Sequence, residues 1–161
     1  MKRHWLETIL NELHQESYHW ARQCCSFDED EAKDLLQLVY LKILEGKAIY
    51  SEKSLIKTWL FAVIRYTASE ERKKKLDNTP LDQINDLAYK EDEPEGPDFH
   101  KSMMLQLPDR QKEVLLLVFY HSMTVEKAAE IMEVSIGTAR THYDRGKKKL
   151  KDLIEKTRIE K

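Results

Sequence analysis

Residues that break helices are scarce in this chain, and where they occur they crowd together. Four Gly and four Pro serve 161 residues, and three of the prolines, Pro80, Pro94 and Pro97, fall in one short acidic stretch. Because Gly costs a helix interior about 1 kcal/mol and Pro about 3 kcal/mol, their absence elsewhere permits long helices on both sides of that stretch. Leu, Glu and Lys are plentiful, and no alternation of Val, Ile and Thr with polar residues persists long enough to suggest a strand. The pattern predicts an all-α fold.

Charge then divides the chain. Residues 1–75 sum to +1, residues 76–100 to −7 and residues 101–161 to +4. The middle part contains Asp77-Asn78-Thr79-Pro80 and the run from Glu91 to Asp98, and it has little apolar material to bury. Two small helical domains, 1–75 and 101–161, joined by a flexible acidic linker over 76–100, are therefore expected.

In the first domain Leu6, Ile9, Leu10, Leu13, Ser17 and Trp20 recur at helical intervals, and Asp28 to Glu31 form an acidic start for a second helix. That helix places Ala32, Leu35, Leu36, Val39, Ile43 and Leu44 on one side, with Leu38 and Leu41 elsewhere on the wheel. The surplus apolar surface fits either the central helix of a bundle or a partner-binding face. After a loop over 46–54, a third helix runs from an apolar root, Trp59 to Ile64, into Arg65, Arg72, Lys73, Lys74 and Lys75. Its cationic end suits a phosphate backbone, and equally it suits offsetting the helix dipole. Trp59, among apolar neighbours, reads as a core residue.

The second domain opens with Leu107-Pro108-Asp109-Arg110-Gln111, a helix start, and a helix through Tyr120 is expected to lend Val114, Leu115, Leu117 and Val118 to a core. Thr124 can then cap a short helix through Met132 whose Ala128 and Ala129 allow close approach of a neighbour. Val134 fills the turn, Ser135 caps the next helix, and that helix runs into lysines. Between Ile136 and Lys151 there are six Lys or Arg against one Asp, in a chain of net charge −2. A helix-turn-helix with a cationic second helix is the footprint of a DNA contact. Its outward residues, Thr138, Arg140, Thr141, His142 and Arg145, can hydrogen-bond base edges and phosphates, with Lys147 and Lys148 following.

Other classes find less support. Cys24 and Cys25 are adjacent, a poor arrangement for a mutual disulfide, and the five-residue intervals from His14 and His19 put potential metal ligands on different helix faces, so neither a disulfide nor a metal site is expected. No apolar run approaches the roughly 18 residues that suggest a membrane span, and the start Lys2-Arg3-His4 leads into an amphipathic helix. The sequence has no glycine-rich phosphate loop, nucleophile with its base or paired-carboxylate site, so a cytoplasmic non-enzyme without cofactor or small-molecule substrate is expected.

Taken together the motifs resemble the extracytoplasmic-function (ECF) group of bacterial RNA polymerase sigma factors, over nearly the whole chain. Asp34-Leu35-Leu36-Gln37-Leu38-Val39-Tyr40-Leu41-Lys42 is similar to the family's polymerase-docking helix, and Thr58 to Arg65 to the element leading into promoter −10 recognition. Leu107 to Val114 and Gly137 to His142 resemble the domain that reads the −35 element. The resemblance implies core RNA polymerase, promoter DNA and an anti-sigma factor as partners. By the same carry-over Asp34, Leu35, Gln37, Leu38 and Leu41 would meet the polymerase. Lys53, Lys57, Arg65, Tyr66, Arg72 and Lys73 would lie at the −10 region, and Ser135, Thr138, Arg140, Thr141, His142, Arg145, Lys147 and Lys148 at the −35 element. Tyr66 stands where relatives often carry Asn, and Glu133 where the turn often has Gly. The alternatives are a helix-turn-helix regulator binding duplex operators unaided, and a polymerase-docking protein without DNA binding.

Overall fold

Every regular element in the computed structural model, which describes residues 2–77 and 99–159, is a helix. Most of the expected acidic linker lies outside the described residues. The first half contains α1 (Lys2–Glu12), α2 (His14–Cys24), α3 (Glu29–Leu44) and α4 (Ile56–Asp77). Between α1 and α2 only Leu13 departs from helical geometry, and backbone bonds from Leu13 N to Ile9 O (2.9 Å) and from Ser17 N to Leu13 O (2.8 Å) carry the ladder across it. The single apolar stripe from Leu6 to Trp20 is thus kept on one bent rod. Ser26 and Phe27, both at positive φ, end that rod, and Asp28 starts α3 by accepting a hydrogen bond from Glu31 N at 3.0 Å.

Burial follows the helical period. α3 turns Ala32, Leu35, Leu36, Val39 and Ile43 inward, and α4 turns in Thr58, Leu60, Phe61, Ile64, Thr67 and Ala68. Leu44, expected on the same side of α3, is exposed, because Ile43 takes the inward position and the next residue points about 100° away. At the centre Trp20 stacks on Phe61 with ring centroids 5.7 Å apart and planes inclined by 4°. Its indole Nε1 donates to the carbonyl of Phe61 at 3.0 Å, which satisfies the one polar group this large side chain brings inside.

The second half contains α5 (Phe99–Leu105), α6 (Asp109–Leu115), a π-helical turn (Leu116–Tyr120), α7 (Val125–Met132) and α8 (Ile136–Ile159). The helix expected to reach Tyr120 therefore changes character at Leu116. Backbone bonds from His121 N to Leu116 O and from Met123 N to Leu117 O widen the turn, and Leu116, Leu117 and His121 all end up buried. Backbone propensity does not anticipate such a turn; inward packing of three residues that a regular helix would spread around its wheel favours it.

The two halves share a core. α4 packs against α7, and one apolar cluster runs from Trp20, Phe61 and Ile64 through Leu117 and Met123 to Ala128, Ile131 and Met132. α8 lies across both α6 and α7. Close approach to α6 depends on Gly146, where an added Cβ would sit 3.1 Å from Leu115 Cδ1 and 3.2 Å from Gln111 Cβ. Gly146→Ala sets an overpacking cost of about 1–3 kcal/mol against a helix-propensity gain of about 1 kcal/mol, and is accordingly expected to destabilise the chain by up to about 2 kcal/mol. A thermal melt unchanged from wild type would mean that α6 and α8 can separate at no cost.

Candidate nucleic-acid interface

Local chemistry builds the helix-turn-helix as its sequence suggests. Thr124 has extended backbone and its Oγ1 accepts from Lys127 N at 3.2 Å, capping α7. Glu133 closes α7 in the left-handed region (φ 58, ψ 43), a conformation costing an L residue about 1–2 kcal/mol, and Val134 N then bonds back to Ala129 O at 3.1 Å. Ser135 Oγ accepts from Thr138 N at 3.1 Å, which caps α8. The same hydroxyl lies 2.8 Å from Thr138 Oγ1, so its capping function is primary. Ala128, Ala129 and Ala139 are all buried at the crossing of the two helices, where only small side chains let the backbones approach.

This crossing turns one face of α8 to solvent. Thr138, Arg140, Thr141, Arg145, Lys147 and Lys148 are exposed on it, and His142 is half-buried. Thr141 Oγ1 donates to Gly137 O at 3.0 Å. Arg140 Nη2 lies 3.2 Å from Glu126 Oε1 on α7. Lys147 Nζ sits 4.5 Å from the centroid of Tyr143, which in turn stacks on Phe119. Further along α8, Arg145, Lys148, Lys149, Asp152, Leu153 and Lys156 line a shallow groove. Lys149 and Lys156 were not among the residues expected to meet DNA, although their helical spacing from Arg145 and Lys148 was a readable signal.

The cationic residues of the first half are arranged differently. Lys53 and Lys73 are exposed, whereas Lys57 pairs with Glu16 at 3.4 Å and lies over the Phe61 ring. Arg65 is nearly buried, its side chain 13% exposed, with Nε donating to Glu113 Oε2 of α6 at 3.2 Å. Arg72 Nη2 donates to Cys24 O at 3.0 Å, and its Nη1 is 4.0 Å from Asp109 Oδ2. Two expected phosphate ligands are thus turned toward carboxylates of the other half. Tyr66 is exposed, with Lys42 Nζ 6.0 Å from its ring centroid. Trp59 is half-buried and packs against the edge of the core cluster, with the Tyr50 ring 5.3 Å from its own and Trp5 stacked beyond Tyr50.

On α3, Asp34, Gln37 and Leu41 are exposed and Leu38 is half-buried, so they lie along one accessible strip. Leu35 does not join them. It is 4% exposed, because its position three residues after Ala32 and four before Val39 puts it in the core stripe, and its expected polymerase contact is corrected to a packing role.

His121, given no role from the sequence, is the polar centre of the packing between the halves. It is buried, its Nε2 lies 2.7 Å from Gln23 Oε1, and its ring meets Phe61 and Trp20 edge-on at 4.9 Å and 5.7 Å. Burial, helped by Lys57 and His19, lowers its pKa to about 4. Nearby, burial raises the Cys24 thiol well above its ordinary pKa and pushes that of Cys25 up to about 11, so neither is a ready thiolate. Among the described residues no cluster of His, Cys, Asp or Glu is placed to hold a metal, and no helix is long and apolar enough to cross a membrane.

A family described as Sigma-70, region 4 matches residues 101–150, the span that contains the helix-turn-helix. The RNA polymerase sigma factor YlaC of Bacillus subtilis is 27% identical over 98% of this chain and 92% of its own length. The ECF RNA polymerase sigma factor EcfG of Rhodopseudomonas palustris is 25% identical over 80% of this chain and 74% of its own. Residues 101–150 thus match sigma-70 region 4, and the chain as a whole is similar to RNA polymerase sigma factors, the ECF group among them. Its fold is also that of a solved sigma factor, RpoE of Bartonella quintana in complex with the anti-sigma factor NepR. The TM-score is 0.73 at 22% identity, over 93% of this chain and 96% of that one. The likeness of fold extends across both halves, including the part that the region 4 family leaves unmatched.

Proposed function

We propose that this chain is an ECF sigma factor that binds core RNA polymerase and directs it to promoters, with residues 1–75 docking on the enzyme and meeting the −10 region and residues 101–161 reading the −35 element. The observation that carries the reading is the exposed cationic face of α8, held out by a fully capped helix-turn-helix. The strip of Asp34, Gln37, Leu38 and Leu41 on α3 supplies the polymerase contact. Catalysis belongs to the polymerase, and the place of action is the cytoplasm. Because its structural relative is bound to an anti-sigma factor, this chain too is proposed to have a protein inhibitor.

The packing of the two halves sets a condition on that function. Arg65 reaches a phosphate backbone only after leaving Glu113, so its proposed −10 contact requires that ion pair between α4 and α6 to open, whereas the exposed Arg72 needs only to swing away from Asp109. Docking on polymerase is the step that would supply the energy for it. The decisive experiment is run-off transcription from promoter DNA with core polymerase, alongside gel shifts with and without the enzyme. Transcripts that need both components support the reading. Tight duplex binding by the chain alone, with no effect of polymerase, would replace it with the unaided regulator.

Salt dependence tests the cationic face. The slope of log affinity against log salt grows by roughly one unit for each duplex phosphate that a side-chain cation neutralises. Replacing both Lys147 and Lys148 by Gln should therefore make that slope shallower by about two units for holoenzyme on promoter DNA. An unchanged slope would return both lysines to the solvent.

A further inference from the structure

Arg140 is the single guanidinium on the first two turns of α8, and it does not stand alone. Its Nη2 is 3.2 Å from Oε1 of Glu126, in the first turn of α7, although both side chains remain largely exposed, at 64% and 51%. Glu126 is itself held in place. The carboxyl lies at the N-terminal turn of α7, where its own backbone N–H, the Arg140 guanidinium and Thr124 hold its pKa below the ordinary carboxylate value. A carboxylate on the front edge of a DNA-facing surface is electrostatically costly, since it repels the phosphates that Arg145, Lys147 and Lys148 attract. Its placement calls for a compensating gain.

Geometry points to one. An arginine side chain carries about 2 kcal/mol of rotamer entropy, which a base contact must overcome unless the guanidinium is already oriented. The bond to Glu126 takes one N–H of Nη2 and leaves the remaining donors of the fork available for a pair of acceptors such as guanine N7 and O6. Of the neighbouring hydroxyls, Ser135 donates to Thr138 Oγ1 and Thr141 donates to Gly137 O, and the Thr138 hydroxyl, whose own hydrogen is not used in that bond, offers one donor where the guanidinium offers a fork. We propose that Glu126 on α7 is a positioning residue that aims the Arg140 guanidinium at one base of the −35 element, giving up general affinity for DNA in return for specificity at that base. The proposal rests on the reading of α8 as the −35 helix.

Its signature is two effects of opposite sign. Holoenzyme would be reconstituted with wild-type, Glu126→Gln, Glu126→Ala and Arg140→Ala chains and used to select binding sites from promoter DNA randomised across the −35 element. Affinity for non-promoter duplex would be measured beside it. Arg140→Ala should flatten the preference at one position, by about 5- to 150-fold for a bidentate contact. Glu126→Gln and Glu126→Ala should weaken the preference at that same position by up to about fivefold, the upper range for an exposed ion pair, while binding to non-promoter duplex tightens. A merely structural role for Glu126 would instead lower both affinities together and leave the base profile intact, and that result overturns the proposal. So does a Glu126 variant that keeps the preference which Arg140→Ala abolishes. If Arg140→Ala flattens no position, the reading of Arg140 itself fails and takes the positioning role with it.

Discussion

Phe61→Ala is expected to destabilise the folded chain by about 3–5 kcal/mol, a large part of the roughly 5–15 kcal/mol that holds a typical domain together. The side chain is fully buried, stacks on Trp20 and receives the edge of the His121 ring. Truncation removes the ring and leaves a cavity walled by residues from α2, α4 and the segment after the π-helical turn. Collapse there is hindered because Trp20 is tethered by its indole bond to the Phe61 carbonyl. Since the cluster is continuous from Trp20 to Met132, the loss should appear in both halves at once. Urea unfolding followed by fluorescence and by helical circular dichroism checks this, with coincident shifts of the midpoint. A shift confined to one half, or a loss below about 1 kcal/mol, would mean that the shared core contributes little.

Acid should weaken the same region through His121. In the unfolded chain this imidazole takes up a proton near pH 6.5, whereas in the fold its pKa is about 4. Between those values the unfolded chain holds the extra proton, so stability rises with pH there and falls as pH drops from 6.5 towards 4. The stabilisation is complete above pH 6.5, and about 3 kcal/mol of it is lost by pH 4. Burial is the main cause, and the charges of Lys57 and His19 add to it. The chain carries five further histidines and 29 Asp and Glu residues. The test is therefore the difference between wild type and His121→Gln, which keeps a polar group facing Gln23 but cannot be protonated. Parallel stability curves from about pH 7 to pH 4 would show that His121 makes no proton-linked contribution.

Legibility followed the range of the interaction. Asp28, Thr124 and Ser135 were readable as caps because a cap joins residues three apart, and all three accept the bond that their position requires. The turn around Glu133 was readable too, but that this non-glycine residue itself takes the left-handed conformation came from the structure. Periodicity found the buried stripes of α3 and α4. It erred over Leu44, at the helix end where one residue more or less changes the face, and was right over Leu35, which it put in the core although resemblance assigned that residue a partner contact.

Apolar spacing, capping residues and the run of cations on α8 determined, from the sequence alone, the helices, the helix-turn-helix and which of its helices carries the exposed cations, since each depends on residues within a turn or two of one another. Only the tertiary structure decided that α4 lies against α7, that Arg65 faces Glu113 across 48 positions of chain and that His121 is buried beside Gln23, 98 positions away. Such pairings arise when two separately formed faces meet, and the shape and charge of each face admit partners that no local pattern names.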